Sequence, residues 1–374
     1  MSTENNIMGD DSKLDHTLYI PARAENETVK YEGTHVKEKV FAIIGAFAVT
    51  GLVAVSAVAY WQPKEVKEVA TVVPALIENV PKPPDTANPF QTLHIEAKAA
   101  VVYDIHHDTV LYGLHEKEKM PLASLTKLMT ALVAIESLDQ QKNIAISQFA
   151  LETEGDSGLF VNESWNIRDL ISFTMVTSSN DGADALAAAA GSLFESTPST
   201  SPEYAKVDAF VEKMNSRALE LGLQNTTYVN ATGLDEGNRS GGVGTAQDMS
   251  TLMTYIWEQK PQAIAHTDLY SHEYVSLDGF LHSALNTNEY VNTIPGLQGS
   301  KTGYTDLAGG NLAIVYDAGL DHPIVIVVLG SSREGRFSDV DTLVEATYEY
   351  IASGWYEYDL LTAGSTAKTF DNYM

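Results

Sequence analysis

Strand-like sequence stands at both ends of the region that begins near Phe90, and helical sequence fills its middle. The run AAVVYDIHHDTVLYG, Ala99 to Gly113, reads as two short apolar strands about a polar turn at His106 to Asp108. Far along the chain, GSKTGYT, GGNLAIVYDAG and HPIVIVVLGSS are three more strand-like runs, and a helix follows from about Phe337 to Ser353. In between, Ser124 to Glu136 carries apolar residues at Leu125, Leu128, Met129, Leu132 and Ile135. That is helical period, and it predicts a helix that buries one face with Ser124 in its first turn. Asn166 to Met175, Asn180 to Phe194, Ala209 to Leu221 and Thr245 to Glu258 also read as helices, the first two parted by the polar break VTSSND. Strands from both ends can share one sheet around an inserted helical region. The expectation is a mixed α/β fold without internal repeats.

The paired histidines His106 and His107 invite a metal reading, but no third ligand follows at helical or strand spacing, so the pair is read as a turn. No metal and no cofactor are expected. The 374 residues carry 50 acidic and 23 basic side chains, a net charge of −27, and no cysteine. Nucleic acid is excluded as a partner, because no cluster of Lys and Arg is present to neutralise a phosphate backbone. Disulfides, thiolate metal sites and cysteine nucleophiles are excluded as well. An anionic substrate would have to be caught by local positive charge.

No residue from Val40 to Trp61 is charged. Such a stretch is long enough to cross a bilayer as a helix, with Tyr60 and Trp61 at the interface, and it lies too far from Met1 for an ordinary cleaved signal peptide. It is read as an uncleaved signal anchor at 40–61. Lys30, Lys37 and Lys39 precede it, and Lys64 and Lys67 follow, so charge barely decides its orientation. Residues 1–39 read as a disordered tail, 62–89 as a linker that ends in VPKPPDTANP, 90–358 as the folded domain and 359–374 as a short tail.

Three short motifs then occur in order. Ser124 and Lys127 form S-x-x-K at a helix start; Ser178 and Asn180 form S-x-N in the break between two helices; Lys301, Thr302 and Gly303 form K-T-G on a strand. A serine hydroxyl is a weak nucleophile until a base takes its proton. Positions i and i+3 share a helix face, so Lys127 can reach Ser124. A lysine serves as a base only when neutral, which requires desolvation or nearby positive charge, and Lys301 could supply part of that charge. A serine at a helix start places backbone N–H groups toward a developing oxyanion. Ser178 can pass a proton to a leaving amine, Asn180 can hold a substrate amide, and Lys301 with Thr302 can bind a carboxylate.

Motifs of this kind, in this order, mark serine penicillin-recognising enzymes. Over about Ile95 to Tyr356 the chain resembles the D-alanyl-D-alanine carboxypeptidases, the low-molecular-mass penicillin-binding proteins. The resemblance rests on LASLTKLMTALVA, SSND, TGLD, TAQDMSTL, KTGYTDLAGGNLA and the pair Gly335-Arg336. It implies a β-lactamase/transpeptidase-like fold, an antiparallel sheet flanked by helices with an inserted all-helical region. It further implies hydrolysis of the terminal D-Ala–D-Ala bond of peptidoglycan stem peptides through an acyl-enzyme on Ser124, with β-lactams as covalent mimics. By the same resemblance Arg336 helps hold the terminal carboxylate, with Arg333 as its near rival, and Tyr304 lends a backbone N–H to the oxyanion hole beside that of Ser124. Peptidoglycan lies outside the cell, so residues 1–39 would be cytoplasmic and the domain extracytoplasmic on a single-pass anchor. Many relatives carry a cleaved signal, an extra β-rich domain and a C-terminal amphipathic anchor. Here the residues after the last helical pattern are too few for such a domain, and the N-terminal span would replace the anchor.

Gly241, Gly242 and Gly244 match neither phosphate-loop spacing and read as a flexible loop. The nearest rival function is a DD-endopeptidase that cuts cross-links with the same residues. A serine β-lactamase would need a base for deacylating water, and Glu203, Glu212, Glu220 and Glu236 lie in the interval between S-x-N and K-T-G without one standing out. A tethered wall-binding protein with a decayed site is the non-enzymatic alternative, and the intact motifs speak against it.

Overall fold

The structure is a computed structural model and describes residues 81–194, 197–198 and 200–367. The chain divides into two units, Met1–Glu78 and Asn79–Met374, and the described residues all belong to the second. The anticipated span at Val40 to Trp61, the tail before it and most of the linker lie outside the described residues. Among the described residues, no helix is long and apolar enough to cross a membrane.

Twelve strands are described: β1 (Ala99–Asp104), β2 (Thr109–Leu114), β3 (Met120–Pro121), β4 (Asn143–Ala145), β5 (Ser164–Asn166), β6 (Thr227–Tyr228), β7 (Gly242–Gly244), β8 (Ser271–Val275), β9 (Leu281–Leu285), β10 (Leu297–Thr305), β11 (Gly309–Asp317) and β12 (Pro323–Ser331). Five of them build one antiparallel sheet in the order β10-β11-β12-β1-β2. Strands from the two ends of the domain meet where Val101 pairs with Val327. Every residue of β12 is buried, because the sheet is covered on both faces. Side chains alternate between those faces along each strand. Val101, Ala313, Val315, Val325 and Val327 join one core, while Val102, Leu312, Ile314, Ile326 and Val328 join the other.

The helices are α1 (Thr126–Ser137), α2 (Gln148–Leu151), α3 (Ile167–Thr177), α4 (Asn180–Gly191), α5 (Glu203–Glu220), α6 (Ala246–Gln259), α7 (Gly335–Ala352) and α8 (Trp355–Ala367). Helix α7 covers the second face through Phe337, Val340, Leu343 and Val344, and α6 packs on the first. Helices α3, α4 and α5 gather around α1, with α2 against α4, and this is the inserted helical region.

Three local expectations need correction. Helix α1 does not bury one face alone: Thr126 through Ile135 are all buried, because α3, α4, α5 and α6 surround it. The glycine-rich stretch is not a flexible loop. Strand β7 pairs with both β3 and β6, and a Cβ on Gly242 would come within 2.4 Å of Thr126 Oγ1. These glycines let a strand pass close behind the start of α1. The segment after residue 358 does not begin as a tail, since α8 runs on to Ala367. Ser353 and Gly354 interrupt the helical pattern, Gly354 at φ +84°, and the chain then resumes as a helix that docks Tyr356 on the second core. Trp355 Nε1 also donates to the Thr86 carbonyl at 3.0 Å, tying this helix to the end of the linker.

Candidate active site

Ser124 lies in a short 3-10 turn, Ala123–Leu125, that runs directly into α1. Ala123 has φ +48°, a left-handed conformation that costs a non-glycine residue about 1 kcal/mol or more and is found where surrounding structure imposes it. The imposing contact is backbone: a Cβ on Gly233 would sit 1.9 Å from the Ala123 carbonyl oxygen, so only glycine fits opposite this turn. Ser124 is left half-buried at the head of the helix.

Lys127, one turn further on, is wholly buried, with its Nζ 3.1 Å from Ser124 Oγ. The amine donates to Asn180 Oδ1 at 2.7 Å and to the Thr232 carbonyl at 2.7 Å. The orientation of the Asn180 amide is set by its own Nδ2, which donates to the Glu154 carbonyl at 2.7 Å. A neutral amine has two protons and one lone pair. Both protons are occupied by carbonyl-type acceptors, so the lone pair remains for the Ser124 hydroxyl. Burial pushes the Lys127 amine down to about 7, against the opposing pull of the Asp184 and Asp181 carboxylates.

Ser178 closes α3 in the left-handed region (φ 60°, ψ 33°), and Ser179 caps α4 by accepting from the Gly182 N–H at 2.9 Å. The S-x-N break is therefore a fixed double cap, and it aims Ser178 Oγ at Lys301, whose Nζ donates to it at 2.8 Å. Lys301 also donates to the Thr302 carbonyl at 2.8 Å and is fully buried. Its amine is held well below its ordinary value by burial first, then by repulsion from Lys127 and Arg336. Of the two causes expected at Lys127, desolvation and nearby positive charge, burial is the one that lowers it, and the repulsion between the two amines falls on Lys301.

Strand β10 runs past the serine. A Cβ on Gly303 would meet the Leu122 carbonyl at 2.9 Å and the Ser124 nitrogen at 3.1 Å. Gly303→Ala is thus expected to displace the Ser124 amide and lower turnover by about 10²–10³-fold, the loss typical of a missing oxyanion donor. Steady-state rates set beside thermal melts check this, with the rate loss exceeding any shift in melting. Thr302 Oγ1 shares a hydrogen bond with Thr287 Oγ1 at 2.6 Å. Arg336 is buried and donates from Nη1 to the Gly303 carbonyl at 2.8 Å, while its Nε has no partner. Exposed Arg333 instead lies over the Tyr304 ring at 5.2 Å. Both arginines border a cavity of about 530 Å³ with Tyr270, Leu285, Thr287 and Glu289.

Ser124, Lys127 and Asn180 meet directly, as do Ser178 and Lys301, while Gly303 joins the strand to the serine and Arg336 to the strand. Tyr304 is exposed at the rim. Sequence reasoning missed the Thr232 and Glu154 carbonyls and the carboxylates of Asp181 and Asp184. TGLD was legible as a motif, but a backbone acceptor leaves no residue signature. The Ser178 hydroxyl, 2.8 Å from Lys301 Nζ, is placed where a proton relay would stand, and Ser178→Ala is expected to cut the rate by roughly 10²–10⁴-fold. A single-turnover measurement with an amide and an activated ester should show a larger loss for the amide, whose leaving group needs a proton.

A family model described as D-alanyl-D-alanine carboxypeptidase, Peptidase_S11, matches residues 85–333. It ends before Arg336, whose position rests on the structure. The D-alanyl-D-alanine carboxypeptidase DacF of Bacillus subtilis is 29% identical over 262 residues, 68% of this chain and 62% of that relative's length. A D-alanyl-D-alanine endopeptidase of Pseudomonas aeruginosa is 32% identical over 278 residues, 70% of this chain and 80% of that protein. Penicillin-binding protein D2 of Listeria monocytogenes, solved in a cefotaxime-bound form, superposes with a TM-score of 0.57 at 28% identity, covering 68% of this chain and 98% of that one.

Proposed function

The chain belongs to the D-alanyl-D-alanine carboxypeptidase family of serine peptidases, and on that premise we propose that it removes the terminal D-alanine of peptidoglycan stem peptides through an acyl-enzyme on Ser124. The observation that carries this is the Lys127 amine, buried, pushed down to about 7 and left with one free lone pair beside Ser124 Oγ. In this reading Ser124 Oγ attacks the carbonyl of the penultimate D-alanine as Lys127 takes its proton. The backbone N–H groups of Ser124 and Tyr304 hold the oxyanion. Ser178, bonded to Lys301, passes the proton taken up by Lys127 on to the departing amine, the C–N bond breaks to release D-alanine, and Lys127 is neutral again. Asn180 holds the substrate amide, and Lys301, Thr302 and Arg336 hold the terminal carboxylate. Water then attacks the ester with Lys127 again as base. β-Lactams acylate Ser124 as mimics, a reading supported by the cefotaxime and ampicillin forms of the Listeria protein.

The test is D-alanine release from a peptide ending in L-Lys-D-Ala-D-Ala, run beside a cross-linked dimer of stem peptides. Release from the peptide supports the carboxypeptidase. Cleavage of the dimer alone establishes the DD-endopeptidase, the second reading, which the 32% identity to the Pseudomonas endopeptidase favours. Rapid hydrolysis of bound penicillin would indicate a β-lactamase, and inertness toward all three a wall-binding protein. We further propose that residues 40–61 anchor the chain in the cell membrane with the domain extracytoplasmic, since the substrate lies there. A C-terminal reporter fusion that registers cytoplasmic location would overturn this.

A further inference from the structure

At the end of the sheet remote from Lys301 and Gly303, three separate segments bring polar donors to one point. Asp104 ends β1, His107 lies in the β1–β2 turn, His322 lies in the turn before β12, and Tyr356 opens α8. Asp104 Oδ2 stands 3.2 Å from His107 Nδ1 and 2.9 Å from His322 Nε2. The Tyr356 hydroxyl stands 2.5 Å from Asp104 Oδ2, 2.5 Å from His107 Nδ1 and 3.1 Å from His322 Nε2. Among the described residues, these three side chains are the group of His, Asp and Glu donors close enough together to share one ion. The third ligand that the sequence lacked beside His106 and His107 comes from more than two hundred residues away, a separation of 218 between Asp104 and His322.

We propose that Asp104, His107 and His322 bind one divalent transition metal ion, zinc in the first instance, with the Tyr356 hydroxyl as fourth donor. Ligands about 2.0–2.1 Å from a tetrahedral ion stand roughly 3.3 Å from one another, so the Asp104–His spacings match such a cage within a few tenths of an ångström, while the Tyr356 hydroxyl, 2.5 Å from Asp104 Oδ2 and from His107 Nδ1, would move outward by about 0.8 Å to join it. Two imidazoles, a carboxylate and a phenolic oxygen suit zinc better than calcium or magnesium, which take oxygen donors. The carboxylate is already oriented as a ligand. Its Oδ1 accepts from the backbone N–H of His106 at 2.8 Å and of His107 at 3.2 Å, which turns Oδ2 toward the rings. Asp104 is fully buried. The ion would join the first hairpin, the β11–β12 turn and the C-terminal helix, a cross-link that a chain without cysteine cannot make with a disulfide.

The test uses the untagged full chain, stripped with chelator and titrated with zinc alone by calorimetry, with cobalt as a spectroscopic probe. The expected result is one zinc per chain, a tetrahedral cobalt spectrum and a higher unfolding temperature with zinc. His107→Ala, whose side chain is 40% exposed on a turn, is expected to fold normally and to weaken binding at least about tenfold. His322→Gln should do the same. Absence of stoichiometric zinc, which a purely hydrogen-bonded cluster would give, overturns the proposal. So does unchanged zinc affinity in His107→Ala.

Discussion

Ser124→Ala is expected to abolish acyl-enzyme formation and to lower D-alanine release by about 10⁴-fold or more, since the residual sites around a missing nucleophile recover little of the rate. The fold should survive. Ser124 is small, half-buried and bonded through its side chain to Lys127, which keeps its contacts to Asn180 and the Thr232 carbonyl. Losing one such hydrogen bond costs about 1 kcal/mol. Labelled penicillin followed by denaturing electrophoresis measures the covalent step, and a thermal melt measures the fold. Label retained on the Ser124→Ala protein would place the nucleophile elsewhere.

Lys127→Met is the second large effect. It removes the base while filling the same buried space, so acylation is expected to fall by at least about 10³-fold. In the parent, kcat/KM should rise with pH through about 7, where the amine loses its proton. Asp184→Asn should move that limb to lower pH, because the Asp184 carboxylate pulls the amine upward. Stability follows the same group. Between about 7 and the ordinary 10.5, the unfolded chain holds a proton on Lys127 that the fold does not, so stability is expected to rise with pH across that window. Methionine at 127 removes this contribution, which is on the order of a few kcal/mol. Melts of parent and variant at pH 7 and pH 9 read the difference. A parent rate independent of pH from 6 to 9 would remove Lys127 from the role of base.

The parts of this site that were legible in sequence are those in which residue type and local geometry coincide. Ser124 and Lys127 were legible because i and i+3 share a helix face, and Ser178 and Asn180 because S-x-N falls in the polar break between two helical patterns. The strands at both ends announced one shared sheet through their apolar runs. What sequence hid was set by tertiary surroundings. The burial of Lys127 depends on four helices around α1, and the direction of its protons depends on carbonyls at Thr232 and Asn180. Gly242 looked like loop chemistry because nothing local reveals Thr126 pressing against it. His322 gave no sign of meeting His107, since only the pairing of β1 with β12 brings their turns together.

Helix α1 has no solvent-facing position from Thr126 to Ile135, and this limits how the protein can diversify. A substitution there must fill the same volume among tightly packed neighbours, so most changes lower stability before they alter selectivity. The freedom to change lies at the rim, where Tyr304, Glu289 and Arg333 are exposed. Lineages under selection to admit a new peptide, or to shut out an inhibitor that resembles one, should accumulate their changes at these three positions while the segment that carries the lysine stays nearly fixed.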